Sequence, residues 1–325
     1  MHTNTRLLVG LLIGIFACTP DSEQHFSEDT PFSERENYGL VSDEPLSEVS
    51  GLVASRKNPG ALWVHNDSGH PAELYLISAR GRLLATYRLP EAENVDWEDI
   101  AIGPGPEAGE TYLYVADIGN NVWLHDEHAI YRCIEPTYTE SASPVVDTIE
   151  YADRLTFSYA EGAIDAETLL LDPATQDLYV LSKELGQIQL YRLRFPEAPP
   201  FHQRVSRVAA FPFFGDDLLD RLVGGDLSAD GTEVLLKTYE HVLYWNRKDT
   251  ATALATLLPT PADTLPYQPE IQGEAVGFAA NGSGYYTLSE RSFGTDVYLY
   301  FYPRRPPDST EVSQRATYPW YSNPH

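Results

Sequence analysis

Glu98-Asp99-Ile100-Ala101-Ile102, a turn at Gly103-Pro104-Gly105, and then Leu113-Tyr114-Val115-Ala116-Asp117 together decide the fold. An acid leads a short apolar run, glycine and proline break it, and a second apolar run returns to an acid. Short runs rich in Ile, Val and Tyr between turn residues read as strands. The same unit recurs along the chain. Acid-led strands open at Glu48 (Glu48-Val49-Ser50-Gly51-Leu52), at Glu167, at Asp226 and at Glu274. Turns follow at Asn58-Pro59-Gly60, Asp172-Pro173, Asp230-Gly231 and Asn281-Gly282. Second strands then start at Leu62, Leu178, Val234 and Tyr285, and third strands richer in aromatics at Leu74, Ile130, Leu190, Val242 and Val297. A fourth strand is plain from Leu83 to Leu89.

Four strands per unit, repeated at roughly 50–70 residues, are the pattern of β-propeller blades. The last unit lacks a fourth strand after Tyr302, and Tyr38-Gly39-Leu40-Val41 is placed to supply it. The expectation is therefore an all-β, five-bladed propeller closed by an N-terminal strand. A six-bladed ring with one degenerate blade is the alternative, and a β-sandwich or two stacked β domains is a third reading. Helical periodicity is scarce, with a turn or two expected at Asp217 to Leu222.

Residues 1–18 read as a leader, 19–36 as a flexible acidic tether, 37–305 as the propeller and 306–325 as a tail. Arg6 precedes the uncharged run Leu7 to Ala17. That run is shorter than the roughly 20 apolar residues a bilayer span needs, and suits a signal peptide. It ends in Ile15-Phe16-Ala17-Cys18. With Cys133 the only other cysteine, lipidation at Cys18 would leave no intrachain disulfide.

The formal charge is −26. Lysines are few (Lys57, Lys183, Lys237 and Lys248), which argues against nucleic acid as partner. Acidity spread along the whole chain fits a saline habitat, where self-repulsion is screened. It does not account for acids at fixed places in a repeat. The first strand of a propeller blade lines the channel, and the second returns antiparallel to it. The start of one and the end of the next therefore share a face, which sets Glu48, Glu98, Glu167, Asp226 and Glu274 around one channel mouth.

Two carboxylates about 6 Å apart repel by about 3 kcal/mol at an effective dielectric near 20. Raised pKa values, neighbouring cations or a bound metal would relieve this. All-oxygen surroundings suit calcium best, so Ca2+ is the expected cofactor and these five acids its expected ligands. Acids that simply accept amide hydrogen bonds from neighbouring blades are the competing reading. Around the mouth, Asp67, Asp117 and Glu290 are candidate bases, and Lys183 and Arg291 candidate anion holders. His65 with His70, or His125 with His128, could meet between blade loops, and Trp63, Trp97 and Trp123 could stack on a ligand. Signatures of serine, zinc-protease or dithiol chemistry are missing from the sequence.

Ile15 to Cys18 resembles a bacterial lipobox, which implies a lipidated first residue; Thr19 in the next position resembles the outer-membrane sorting pattern. Asp96-Trp97-Glu98-Asp99, Asp117-Ile118-Gly119-Asn120-Asn121 and Gly273-Glu274-Ala275-Val276 are similar to secreted bacterial propellers. Glu48 to Leu52 and the acid-led strands resemble the SdiA-regulated and phytase-like propeller families. A more distant likeness is to soluble calcium-activated apyrases, which implies a calcium in the central channel. Residue by residue, no apyrase catalytic set can be matched. The resulting expectation is a monomeric, calcium-binding module for a ligand or protein, lipid-anchored in the cell envelope at the outer membrane and facing the periplasm or the cell surface. The alternative is a calcium-dependent hydrolase of a phosphate ester or lactone.

Overall fold

The short apolar runs become short strands, and the turn residues between them close hairpins. The computed structural model describes residues 30–121, 123–199, 201–213, 217–292 and 294–306. The leader with Cys18, residues 19–29 of the tether and residues 307–325 of the tail lie outside the described residues.

β1 (Glu36–Val41) precedes blade one, which comprises β2 (Val49–Ala54), β3 (Ala61–Asn66), β4 (Glu73–Ser78) and β5 (Leu83–Arg88). Blade two opens with β6 (Trp97–Pro104), β7 (Thr111–Asp117) and β8 (His128–Ile134). The chain then detours through β9 (Val145–Thr148) before β10 (Asp153–Tyr159) completes that blade. Blade three is β11 (Ala166–Leu171), β12 (Leu178–Ser182) and β13 (Gln187–Leu193), with a second detour through β14 (His202–Val205) before β15 (Arg207–Pro212). Blade four is β16 (Leu222–Leu227), β17 (Glu233–Thr238), β18 (Val242–Asn246) and β19 (Asp263–Leu265), with the single-turn α1 (Leu254–Leu257) in its last connection. Blade five is β20 (Gly273–Phe278), β21 (Gly284–Ser289) and β22 (Val297–Pro303), and β1 pairs antiparallel with β22 to complete it.

The innermost strands touch in the cycle β2, β6, β11, β16, β20 and back to β2, so the ring is closed with five blades. This excludes the six-bladed and sandwich readings. Around Asp217 only a short 3-10 turn forms, at Leu218–Asp220, capped by the Asp217 side chain. Among the described residues, no helix is long and apolar enough to cross a membrane.

The detours were not expected. β9 adds parallel to β5 on the outside of blade one, and β14 adds parallel to β10 on the outside of blade two. Each therefore stitches a blade to its predecessor. Both are four-residue strands, largely solvent-facing, with a single hydrogen-bonded neighbour, so they carry no apolar alternation to read. The tether also ends earlier than expected. Phe32 is fully buried, edge-on to Tyr244 and Tyr285, and Ser33 N–H donates to Pro303 O (2.8 Å).

Every residue of the five inner strands except Gly103 and Pro104 is buried, because each strand is wedged between two blades. Adjacent backbones come close enough to demand glycine: a Cβ on Gly277 would lie 2.6 Å from Leu52 O. Side chains latch the strands together. Ser50 Oγ donates to Glu98 O (2.6 Å), Asp99 accepts from Leu169 N (2.9 Å), and Asp226 accepts from Phe278 N (2.8 Å).

Candidate functional site

Each inner strand carries a β-bulge at its N-terminal end. The pairing skips one residue per blade: Ser50, Glu98, Glu167, Val223 and Glu274. A bulge leaves its extra residue outside the ladder and re-aims its side chain. The repeat thus delivers acids to the channel mouth from blades two, three and five, while blades one and four present Ser50 and Val223.

Two of the five expected ring acids consequently lie elsewhere. Glu48 sits two residues before its bulge, at the rim, with its side chain 49% exposed and 2.8 Å from His70 Nε2. Asp226 lies three residues past its bulge, in the channel wall, as a latch to blade five. Burial pushes its carboxyl up to about 7. These two acids led the motif by spacing alone; a bulge shifts the in-out order by one residue, but strands buried on both faces carry no apolar alternation in which that shift could be read.

Glu98, Glu167 and Glu274 do converge, and loops add further acids. Asp67 follows β3, and its backbone N–H donates to Glu48 O (2.8 Å). Asp96 precedes β6, with its backbone N–H donating to Asp117 Oδ1 (2.8 Å) and its carbonyl accepting from Ile118 and Gly119 (3.1 Å each). That clasp folds the Asp117-Ile118-Gly119 turn over the mouth. Gly119 lies so close to the Glu98 and Asp96 carboxylates that any Cβ there would collide with both. The result is one oxygen each from Asp67, Asp96 and Glu98, all within 4.8 Å of one another. Asp96 stood in the quoted motif two residues ahead of Glu98, and that paired-acid spacing was the signal for it.

Electrostatics mark this funnel as strained. Burial first, then repulsion from Glu167 and Asp67, raises Glu98 well above the usual carboxylate range. Burial likewise pushes Asp67 up to about 7, with Glu274 and Asp96 adding repulsion. Glu167 rises to about 8, chiefly through burial and despite Lys183, and Glu290 to about 8, through burial and then Glu274. Lys183 is a cation of the group, ion-paired with Glu167 Oε1; burial works to lower its pKa, but Glu167, Tyr239, Glu98 and Glu274 together hold it well above its ordinary value. Glu274 accepts from Tyr239 Oη (2.7 Å). Glu167 Oε2 is buried with no N–H or hydroxyl donor and faces only the Glu98 carboxyl.

The remaining candidates have structural neighbours. Asp117 clamps Asp96, and burial raises it to about 6. Arg291 closes the ring, donating from its guanidinium to Val41 O and Asp43 O (3.2 Å each). Trp63 and Trp97 are fully buried, with indole N–H groups on Glu135 (2.9 Å) and Glu93 O (3.1 Å). Trp123 alone of the three is on the surface. His65 is buried edge-on to Trp97, whereas His70 is held at the rim by Glu48. His128 is buried against Tyr159, and His125 N–H donates to Asn120 Oδ1 (3.1 Å).

Chemically, the funnel offers hard oxygen donors, with the Lys183 ammonium already paired to Glu167. Calcium takes 6–8 oxygens at about 2.3–2.6 Å, so donors around one ion lie within about 5 Å of each other. The Asp67, Asp96 and Glu98 set meets that spacing, with Glu167 Oε2 as an uncommitted neighbour. Three carboxylates leave coordination positions for water or a ligand.

No protein-family profile matches the chain, and no curated protein matches it in sequence. Among solved structures, it is similar to a PQQ-bound aldose sugar dehydrogenase from Streptomyces coelicolor. The identity is 11%, with 83% of this chain and 98% of that one covered, at a TM-score of 0.44. It is also similar to the WD40 repeats of RRP9, at 12% identity, with 79% and 80% covered and a TM-score of 0.40. The chain is a β-propeller; these likenesses say nothing further about its chemistry.

Proposed function

We propose that this propeller is a binding module whose acidic funnel holds one calcium ion, through Asp67, Asp96 and Glu98, and presents it to a ligand at the channel mouth. The observation that carries this reading is the buried, mutually repelling carboxylate set beside a Glu167 oxygen that no N–H or hydroxyl reaches. A divalent cation offsets that repulsion, and an open coordination sphere can accept a ligand oxygen. Lys183 is already engaged by Glu167, and Arg291 by backbone carbonyls, so neither is available to bind an anion; this favours binding over phosphate-ester hydrolysis. The leader ending at Cys18 supports an outer-membrane lipid tether that would hold the module in the cell envelope.

Calorimetric titration of the chelated protein with CaCl2 tests the site. One equivalent should bind, and Glu98→Gln should abolish it. Absence of binding in wild type would overturn the reading. Calcium-dependent turnover of phosphate esters or lactones that is lost in Glu98→Gln would replace the binding module with the hydrolase.

A further inference from the structure

A second group of metal-ligating side chains lies on the same face, on the flank of blade four, and its chemistry differs from that of the funnel. Asp220 ends the 3-10 turn that leads into β16, and Glu240 and His241 form the turn between β17 and β18. One ligand atom from each of the three lies within 4.8 Å of the others, and all three residues are partly buried. The Glu240-His241 turn is fixed by its own backbone: Thr238 Oγ1 accepts from Glu240 N (3.2 Å) and His241 N (2.9 Å), and Thr238 N–H donates to His241 O (2.8 Å). The Asp220 segment is fixed by Asp217, whose side chain accepts from Leu219 N (3.1 Å). Two independently anchored segments therefore bring an imidazole and two carboxylates to one point.

We infer that Asp220, Glu240 and His241 form a zinc site distinct from the acidic funnel. The imidazole decides the metal. Oxygen-only donors favour calcium or magnesium, whereas a histidine nitrogen with carboxylates favours zinc and its first-row neighbours. Three protein donors also leave zinc's fourth position to water or a ligand. Tyr239 ties the two sites together, since its chain neighbour Glu240 is a zinc ligand while its own hydroxyl donates to Glu274 in the funnel (2.7 Å).

Titration of the full chain with ZnCl2 in saturating calcium, followed by competition with a zinc-binding dye, tests this inference. Wild type should take up one zinc at this site. Replacing Co2+ for Zn2+ should give a visible d–d absorption band. His241→Ala and Asp220→Asn should each weaken binding by more than tenfold and remove that band, since even outer partners of a metal ligand are worth about 10- to 100-fold. Both variants should keep the wild-type melting temperature in chelator, and their response to calcium. Zinc affinity unchanged in both variants, or no zinc uptake by wild type, would overturn the assignment. A variant that misfolds is replaced by His241→Gln, for which the same loss is expected.

Discussion

Buried carboxylates occur at both ends of this propeller, and the two ends treat them differently. At the end opposite the funnel, Glu135 is 1% exposed and accepts from Ser55 Oγ, Arg56 N, Lys57 N and Trp63 Nε1. Asp172 is likewise buried, and meets the Arg247 guanidinium at 2.8 Å; Arg247 in turn donates to Gly231, Thr250 and Thr252 carbonyls. At the funnel, Glu98 and Glu167 are as deeply buried, yet they face other acids, and one Glu167 oxygen meets no N–H or hydroxyl donor. Burial alone therefore does not distinguish the two sets of acids. Satisfaction does: buried polar groups are almost always hydrogen-bonded, and the exceptions need a reason.

Breaking the satisfied end should cost most. Asp172→Ala leaves Arg247 as an uncompensated buried charge and should destabilise the protein by about 3–5 kcal/mol in denaturant unfolding. Glu135→Ala strands several buried donors and should cost a similar amount, at about 1–3 kcal/mol for each donor left unmet. A small effect for both would erase the contrast between the two ends.

At the funnel the same kind of change should cost little in chelator. Glu98→Gln removes a repelling group and should leave the metal-free melt unchanged or raised. Gly119→Ala should leave the fold intact but displace the Glu98 and Asp96 carboxylates, and so weaken calcium binding, read by titration.

The raised carboxyls also set a pH dependence. Asp67 near 7, and Glu167 and Glu290 near 8, bind protons in the folded state that the unfolded chain has already released. Their contribution to stability is present at low pH and is lost as pH rises towards 8. The chelated protein should therefore melt lower at pH 8 than at pH 5.5, and calcium should flatten the slope. Asp226, near 7 in the channel wall, adds a part that calcium leaves untouched. The smallest effect is expected at the rim, where Glu48→Gln breaks a half-exposed pair with His70 worth about 0–1 kcal/mol and should leave calcium binding as it was.

Much of this was legible in the residues. The acid-led strands and their turns gave five blades, and Tyr38 to Val41 gave the closing strand, because short apolar runs and turn chemistry act locally. Glu98, Glu167 and Glu274 were legible as an inward-facing set for the same reason. Glu48 and Asp226 were misplaced because their blades put Ser50 and Val223 in the bulge, and strands buried on both faces have no alternation to mark where a bulge falls. Asp67 was legible as an acid at the mouth, but its place beside Asp96 and Glu98 depends on how its loop folds. β9 and β14 were invisible because strands held on one edge and facing solvent need no apolar pattern.

The thermal melt of the chelated chain at pH 8, with and without calcium, tests the central claim most directly. Calcium at a hundred times its dissociation constant should stabilise wild type by about 2.7 kcal/mol, with the rise lost in Glu98→Gln and kept in Glu48→Gln. No rise in wild type, or an equal rise in Glu98→Gln, would contradict the account and leave the funnel's acids without a cation.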